Sequence, residues 1–329
     1  MNVTERVIRE QFPFWKGALD LALPAPGKGL NVIVGCGTSY YLAMSIAATF
    51  NREGHMAIAV PGAEWARRPG SYAAAQDGIT VVALSRSGES SETVQAVEAS
   101  RKAGMRTIAI TCEKDSSIAR AAETLVFAPT HPSEGIVMTS SASLMLLIGL
   151  RMAGASIDAG IAATAEALMD KADADISRII QGRSHFVYLG SGLLYGLATE
   201  GALKLQEMSL SYSQSFHPME YRHGPISLVD DKTFVVAVYN ADTAEEEAGV
   251  IQDIRDKGAF VLAFGGPGDL SLGVPAGNED RALAALPALQ LFGERVAEMR
   301  GADTEAPISE TNSPSAIDRL TPWITFWVP

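Results

Sequence analysis

The chain has 329 residues and a formal net charge of −12 at pH 7. Single domains commonly run ~100–200 residues, so two domains are expected. The acidic balance excludes a general nucleic-acid or membrane-surface role but leaves room for a local anion pocket. With 47% hydrophobic and 19% charged residues, the chain can bury a large core and is not of the disordered class.

The N-terminal stretch MNVTERVIREQFPFWKG carries charges throughout and has no apolar signal core. SLMLLIGLRMAGA is short and contains Arg151, and no segment reaches the ~18 apolar residues of a membrane span. Cys36 and Cys112 fall in or beside predicted buried strands. A disulfide framework is therefore not expected, and a cytoplasmic location is the default.

A first strand is predicted at 30–34, followed by the Gly-rich turn GCGTSYY. A dinucleotide site would require G-x-G-x-x-G and an acid about 20 residues on. Tyr40 stands where the third glycine belongs, and Glu64 comes too late. Thr38 and Ser39 nevertheless add hydroxyls at a helix N-terminus, which attracts anions. The second strand, 79–84, runs into SRSGES and a predicted helix from Ser91 to Ala103, with Gly104 as its stop. One hydroxyl is enough to cap a helix. Here Ser85, Ser87 and Ser90 can all donate, and Gly88 lets the backbone turn its N–H groups inward. Phosphate binding is the better reading, at the carboxyl ends of strands where open α/β sheets take ligands. A third strand is predicted at 107–112, and the Ala/Asp-rich segment 154–183 as a connecting helix.

Strands follow at 186–189, 234–239 and 260–265. VIVGCGTSYYLA resembles VYLGSGLLYGLA at an offset of 155 residues, VVAL resembles VVAV at 154, and RKAG resembles RDKG at 154. Three matches at one spacing indicate a tandem duplication. Strand–helix alternation in each half implies a doubly wound α/β fold with parallel, flavodoxin-like sheets flanked by helices. The second half replaces the serine loop with the acidic YNADTAEEE, which would repel a phosphate. In EGALKLQEMS, Glu200, Lys204 and Glu207 share one helix face amid small and apolar neighbours. The following SYSQSFHPMEYRHGP contributes His217 and His223, the latter before a Gly-Pro turn. Without an H-x-x-x-H or a cysteine pair, acid–base chemistry fits these residues better than a metal.

GCGTS, SRSGES and the EGALKLQE…EYRHGP block resemble the sugar isomerase (SIS) family in tandem form. The similarity extends to the isomerase half of glucosamine-6-phosphate synthase and, in the tail NSPSAIDRLTPWITF, to the galactosamine-6-phosphate deaminase/isomerase branch. The resemblance implies a first SIS domain over 1–153 with an N-terminal helix, a connecting helix over 154–183 and a second SIS domain over 184–329. It implies that Ser85, Ser87 and Ser90 hold a sugar phosphate, with Thr38 and Ser39 lining the pocket. Arg86 departs from the synthase's glutamine and could add charge there. It implies that Glu207 shuttles the proton between C1 and C2, that His223 opens the sugar ring from a neighbouring subunit of a homodimer, and that Lys204 lies beside Glu207. Glu134 matches the segment that closes the pocket, and Thr139, Ser140 and Ser141 are candidate sugar contacts. No lysine follows Lys257, so the synthase's C-terminal imine-forming lysine has no counterpart.

The expected function is that of an amino-sugar-phosphate isomerase/deaminase requiring neither metal nor nicotinamide. A fructosamine-6-phosphate deglycase and a non-catalytic phosphosugar sensor are the alternatives. A chain of this length is expected to hold no glutaminase domain, and about 28 residues before the first strand are too few for a DNA-binding domain.

Overall fold

The computed structural model describes residues 1–75 and 77–305. Helices α1 (Val3–Arg9) and α2 (Phe12–Leu19) lead into the first half. That half runs β1 (Asn31–Gly35), α3 (Thr38–Arg52), β2 (Ala57–Pro61), α4 (Gly62–Arg67), β3 (Thr80–Ser85), α5 (Ser91–Lys102), β4 (Arg106–Thr111), α6 (Ser117–Ala121), β5 (Thr124–Phe127) and α7 (Ser140–Ala153). Helix α8 (Ile161–Ile179) connects to the second half. There follow β6 (His185–Gly190), α9 (Leu193–Ser209), β7 (Ser213–Phe216), α10 (Pro218–Tyr221), β8 (Thr233–Val238), α11 (Ala244–Asp256), β9 (Phe260–Phe264), β10 (Leu270–Leu272) and α12 (Asn278–Arg300).

The strands form two five-stranded sheets, ordered β2-β1-β3-β4-β5 and β7-β6-β8-β9-β10, and every pairing is parallel. The two orders are the same once the second is counted from β6. The turn geometry repeats as well. Gly37 has φ 54° and ψ −126°, and Gly192, which occupies the matching turn, has φ 56° and ψ −130°. A side chain is strained in that region of backbone space, which accounts for glycine at both places.

Period-2 alternation sends opposite strand faces into different cores. Ile33, Val82, Leu84, Ile108 and Ile110 face inward, while Val32, Val34, Val81 and Ala83 pack under α5 and Trp65. Sheets covered on both faces read as near-continuous apolar runs, and the six strands expected from sequence lie within a residue or so of those found. The inner core continues without a break through α3, α7, α8, α9 and α12 to Phe186, Tyr188, Phe234 and Val236 of the second sheet. Of the two N-terminal helices, α2 packs against α7 of the first half and α1 packs against α12. Arg9 and Arg295 share Glu5 and Asp173, which ties α1 to α8 and α12.

The two halves meet along α3 and α9. Ser45 Oγ donates to the Leu193 carbonyl at 2.6 Å. A Cβ on Gly196 would sit 2.4 Å from Ser45 Oγ and 2.6 Å from the Tyr41 carbonyl oxygen. Gly196→Val must therefore push the helices apart. Overpacking of this kind costs about 1–3 kcal/mol. The expected result is a lowered Tm in thermal unfolding, whereas a Tm equal to wild type would show that the seam has slack.

Candidate active site

The serine loop leaves the end of β3 and turns into α5. Ser85 is buried, and its hydroxyl accepts from the Gly88 N–H at 3.1 Å and approaches Ser90 Oγ at 3.4 Å. Ser87 Oγ accepts from the Glu89 N–H at 3.2 Å. Ser90 occupies the N-cap position of α5, yet its side chain makes no capping bond. The loop thus gathers hydroxyls above the positive end of a helix dipole, an arrangement suited to an anion. The matching turn of the second half is filled from within. The Glu247 carboxylate accepts from Ser191 Oγ at 2.7 Å, the Asn240 N–H at 3.0 Å and Thr243 Oγ1 at 2.8 Å.

Segment 128–139 lies over the serine loop. Arg86 donates to the Gly135 carbonyl, and Arg86, Ser87, Cys112, His131 and Glu134 line a cavity of about 420 Å³. Glu134, expected in the segment that closes the pocket, bonds to Thr139 and Ser141, two of the expected sugar contacts. One Glu134 oxygen accepts from the Thr139 N–H at 2.6 Å, and from the Ser141 N–H and Oγ at 3.0 Å each, while the other accepts from Thr130 at 2.9 Å. The physical reason is that α7 begins at Ser140 with free N–H groups, and the carboxylate supplies the cap they need. Ser140 is buried, and its hydroxyl has no hydrogen-bond partner among the described residues.

The catalytic candidates lie on α9. Glu200 and Lys204 are wholly buried, while Glu207 keeps 36% of its side chain exposed. Lys204 donates to Glu207 and stands 3.6 Å from Glu200 Oε1. The same Glu200 oxygen accepts from Thr38 Oγ1 at 3.2 Å, so the GCGTS turn and the charged helix face are joined across the seam. Burial pushes the Glu200 carboxyl up to about 7 despite the nearby ammonium. Burial works against the Lys204 ammonium, but the facing carboxylates of Glu200 and Glu207 outweigh it and hold its pKa above the ordinary lysine value. Ser39 is buried beside Thr38 in the first turn of α3.

The two histidines have different surroundings. His217 stacks on Tyr195 with ring centroids 3.9 Å apart, and burial lowers its pKa. His223 is exposed, follows α10 and precedes Gly224, and its ring has no hydrogen-bond partner among the described residues. Sequence reasoning missed two features of the site. One is the Thr38–Glu200 bond, since nothing local signals a pairing between residues so far apart in the chain. The other is the lining by Cys112 and His131, which sit on connections after β4 and β5.

Residues 31–153 match the family model of the SIS domain. The match covers one SIS domain, so the expectation of two in tandem is corrected to one matched SIS domain followed by a second sheet of the same strand order. Among curated proteins, the chain is 28% identical over 302 residues to the isomerizing glutamine–fructose-6-phosphate aminotransferase of Halobacterium salinarum, covering 84% of this chain and 50% of that one. The chain spans about half the length of the curated relatives it matches. Among solved structures, a glucosamine-6-phosphate deaminase from Thermotoga maritima superposes with a TM-score of 0.83 at 29% identity, covering 93% of this chain and 98% of that one. A tagatose-6-phosphate ketose/aldose isomerase from Escherichia coli shares the fold, with a TM-score of 0.80 at 24% identity and coverage of 93% and 95%. The matched stretch holds the serine loop, the GCGTS turn and the Glu134 segment, while Lys204, Glu207 and His223 lie beyond the matched residues. The tail NSPSAIDRLTPWITF, with Trp323 and Trp327, lies outside the described residues. Among the described residues, no helix is long and apolar enough to cross a membrane.

Proposed function

We propose that the chain is an amino-sugar-phosphate isomerase/deaminase that converts a hexosamine 6-phosphate into a ketose 6-phosphate and ammonia. The observation that carries this reading is the Glu200–Lys204–Glu207 row, hydrogen-bonded through Thr38 to an anion-binding turn. Ser85, Ser87, Ser90, Thr38 and Ser39 hold the phosphate, and Arg86 reinforces the charge. Glu207 is the base, exposed on one side and anchored by Lys204 on the other. It takes the proton from C2 of the open-chain sugar, giving an enolamine, and returns it to C1. Water adds to the resulting C2 imine, the carbon–nitrogen bond breaks, and ammonia leaves. One water is consumed for each ammonia released, with no change of oxidation state overall.

His223 opens the ring in the site of a neighbouring subunit, transferring the O1 proton to O5. Its exposure and lack of a ring partner among the described residues support a role outside its own chain, and this reading makes the protein a homodimer. The free Cys36 and Cys112 support a reducing, cytoplasmic setting. Deamination is favoured by the near end-to-end likeness to the Thermotoga maritima deaminase.

The test is an ammonia-release assay combined with proton NMR, run separately on glucosamine 6-phosphate and galactosamine 6-phosphate. Ammonia together with a ketose phosphate from either sugar is the expected result and names the epimer. Saturable binding without turnover would replace this reading with a deglycase or a phosphosugar sensor. Absence of binding would overturn the phosphate-loop assignment for these ligands.

A further inference from the structure

Glu200 is a buried titratable group that the chemistry above leaves without a role. Its Oε1 accepts from Thr38 at 3.2 Å and stands 3.6 Å from Lys204 Nζ, while its Oε2 is buried with no hydrogen-bond partner among the described residues. An ionised carboxylate stripped of water and left with a bare oxygen is costly, and the neutral acid is far less so. The titratable groups facing it are Lys204 and Glu207 along α9 and the Tyr41 phenol from α3. One ammonium compensates one carboxylate in a dry interior, and Lys204 already donates to Glu207.

We propose that Glu200 is a positioning residue that works as the neutral acid, tying Thr38 of the anion turn to α9 while leaving the Lys204 ammonium to orient Glu207. The inference rests on the reading of Glu207 as the proton-transferring base. Burial brings the Glu200 carboxyl up to about 7, so its ionisation falls in the working range. Once ionised, Glu200 competes for the ammonium and Glu207 loses its anchor. Turnover therefore falls as the pH rises through about 7.

Two variants, set against the wild type, test this. In Glu200→Ala, kcat drops about 100-fold with KM little changed, the scale expected when a base is misplaced. Glu200→Gln keeps an acceptor for Thr38 and carries no charge. It recovers most of the lost kcat, and its pH profile lacks the alkaline limb near 7. A merely structural role would lower Tm without moving that limb. Glu200→Gln losing as much kcat as Glu200→Ala, or retaining the limb, overturns the proposal.

A second measurement needs no substrate. The folded-state value of about 7 lies above the ordinary 4.5, so the folded chain holds this proton longer than the unfolded chain does. Stability then declines as the pH rises between those two values and levels off above the higher one. The Tm of the wild type should fall across that window relative to the Tm of Glu200→Gln. Parallel Tm curves overturn the protonation assignment. A wild-type chain that shows the Tm difference but turns over no hexosamine phosphate overturns instead the functional reading on which the proposal rests.

Discussion

Replacing Glu207 with glutamine is expected to abolish turnover of the hexosamine 6-phosphate while leaving its binding intact. Glutamine fills the same volume and can still accept from Lys204, so the helix and the buried pair above it are undisturbed. What it lacks is the capacity to take a proton. A positioned general base contributes about 10²–10⁴-fold to rate, and the loss should appear almost wholly in kcat, the pattern of an interaction realised only in the transition state. Ammonia release gives kcat, and calorimetric titration with the sugar phosphate gives affinity. A variant that keeps its kcat would remove Glu207 from the mechanism. One that loses affinity along with rate would make it a sugar-binding group instead.

Lys204→Met is expected to produce the largest loss of stability. The ammonium is wholly buried between two carboxylates, and removing one partner of a buried pair commonly costs 3–5 kcal/mol. Here the low end of that range, about 3 kcal/mol, applies. Glu200 can take up a proton, and Glu207 is partly exposed to water. Urea unfolding should show a lower midpoint with an unchanged slope. Adding Glu200→Gln to Lys204→Met should change stability little further below about pH 7, because Glu200 is held there as the neutral acid and leaves no charge to compensate. If the double variant is clearly more stable than Lys204→Met at that pH, then the ammonium was compensating an ionised Glu200.

The central strands could be read from sequence because their neighbours bury them on both sides. Val81–Leu84 and Val235–Val238 are apolar residue after residue, and no solvent-facing position interrupts the run. The four strands that sequence reasoning missed, β2, β5, β7 and β10, are the edges of the two sheets. They are short and only partly buried, so neither alternation nor a continuous apolar run marks them. The same contrast holds at the site. The serine loop and the Glu200, Lys204 and Glu207 face are local patterns, and each could be recognised within ten residues or so. The Thr38–Glu200 bond joins elements far apart in the chain, and local spacing carries no record of that.

The seam between α3 and α9 also limits how the molecule can move. Two lobes that close on a ligand usually swing about a flexible strand of chain, across a polar interface that can part. Here a glycine lets one helix backbone rest against the other, the Ser45–Leu193 bond crosses the contact, and one apolar core runs from sheet to sheet. Clamshell closure would tear that core open. The two sheets are therefore held as one body, and the GCGTS turn keeps a fixed distance from the Glu200, Lys204 and Glu207 row.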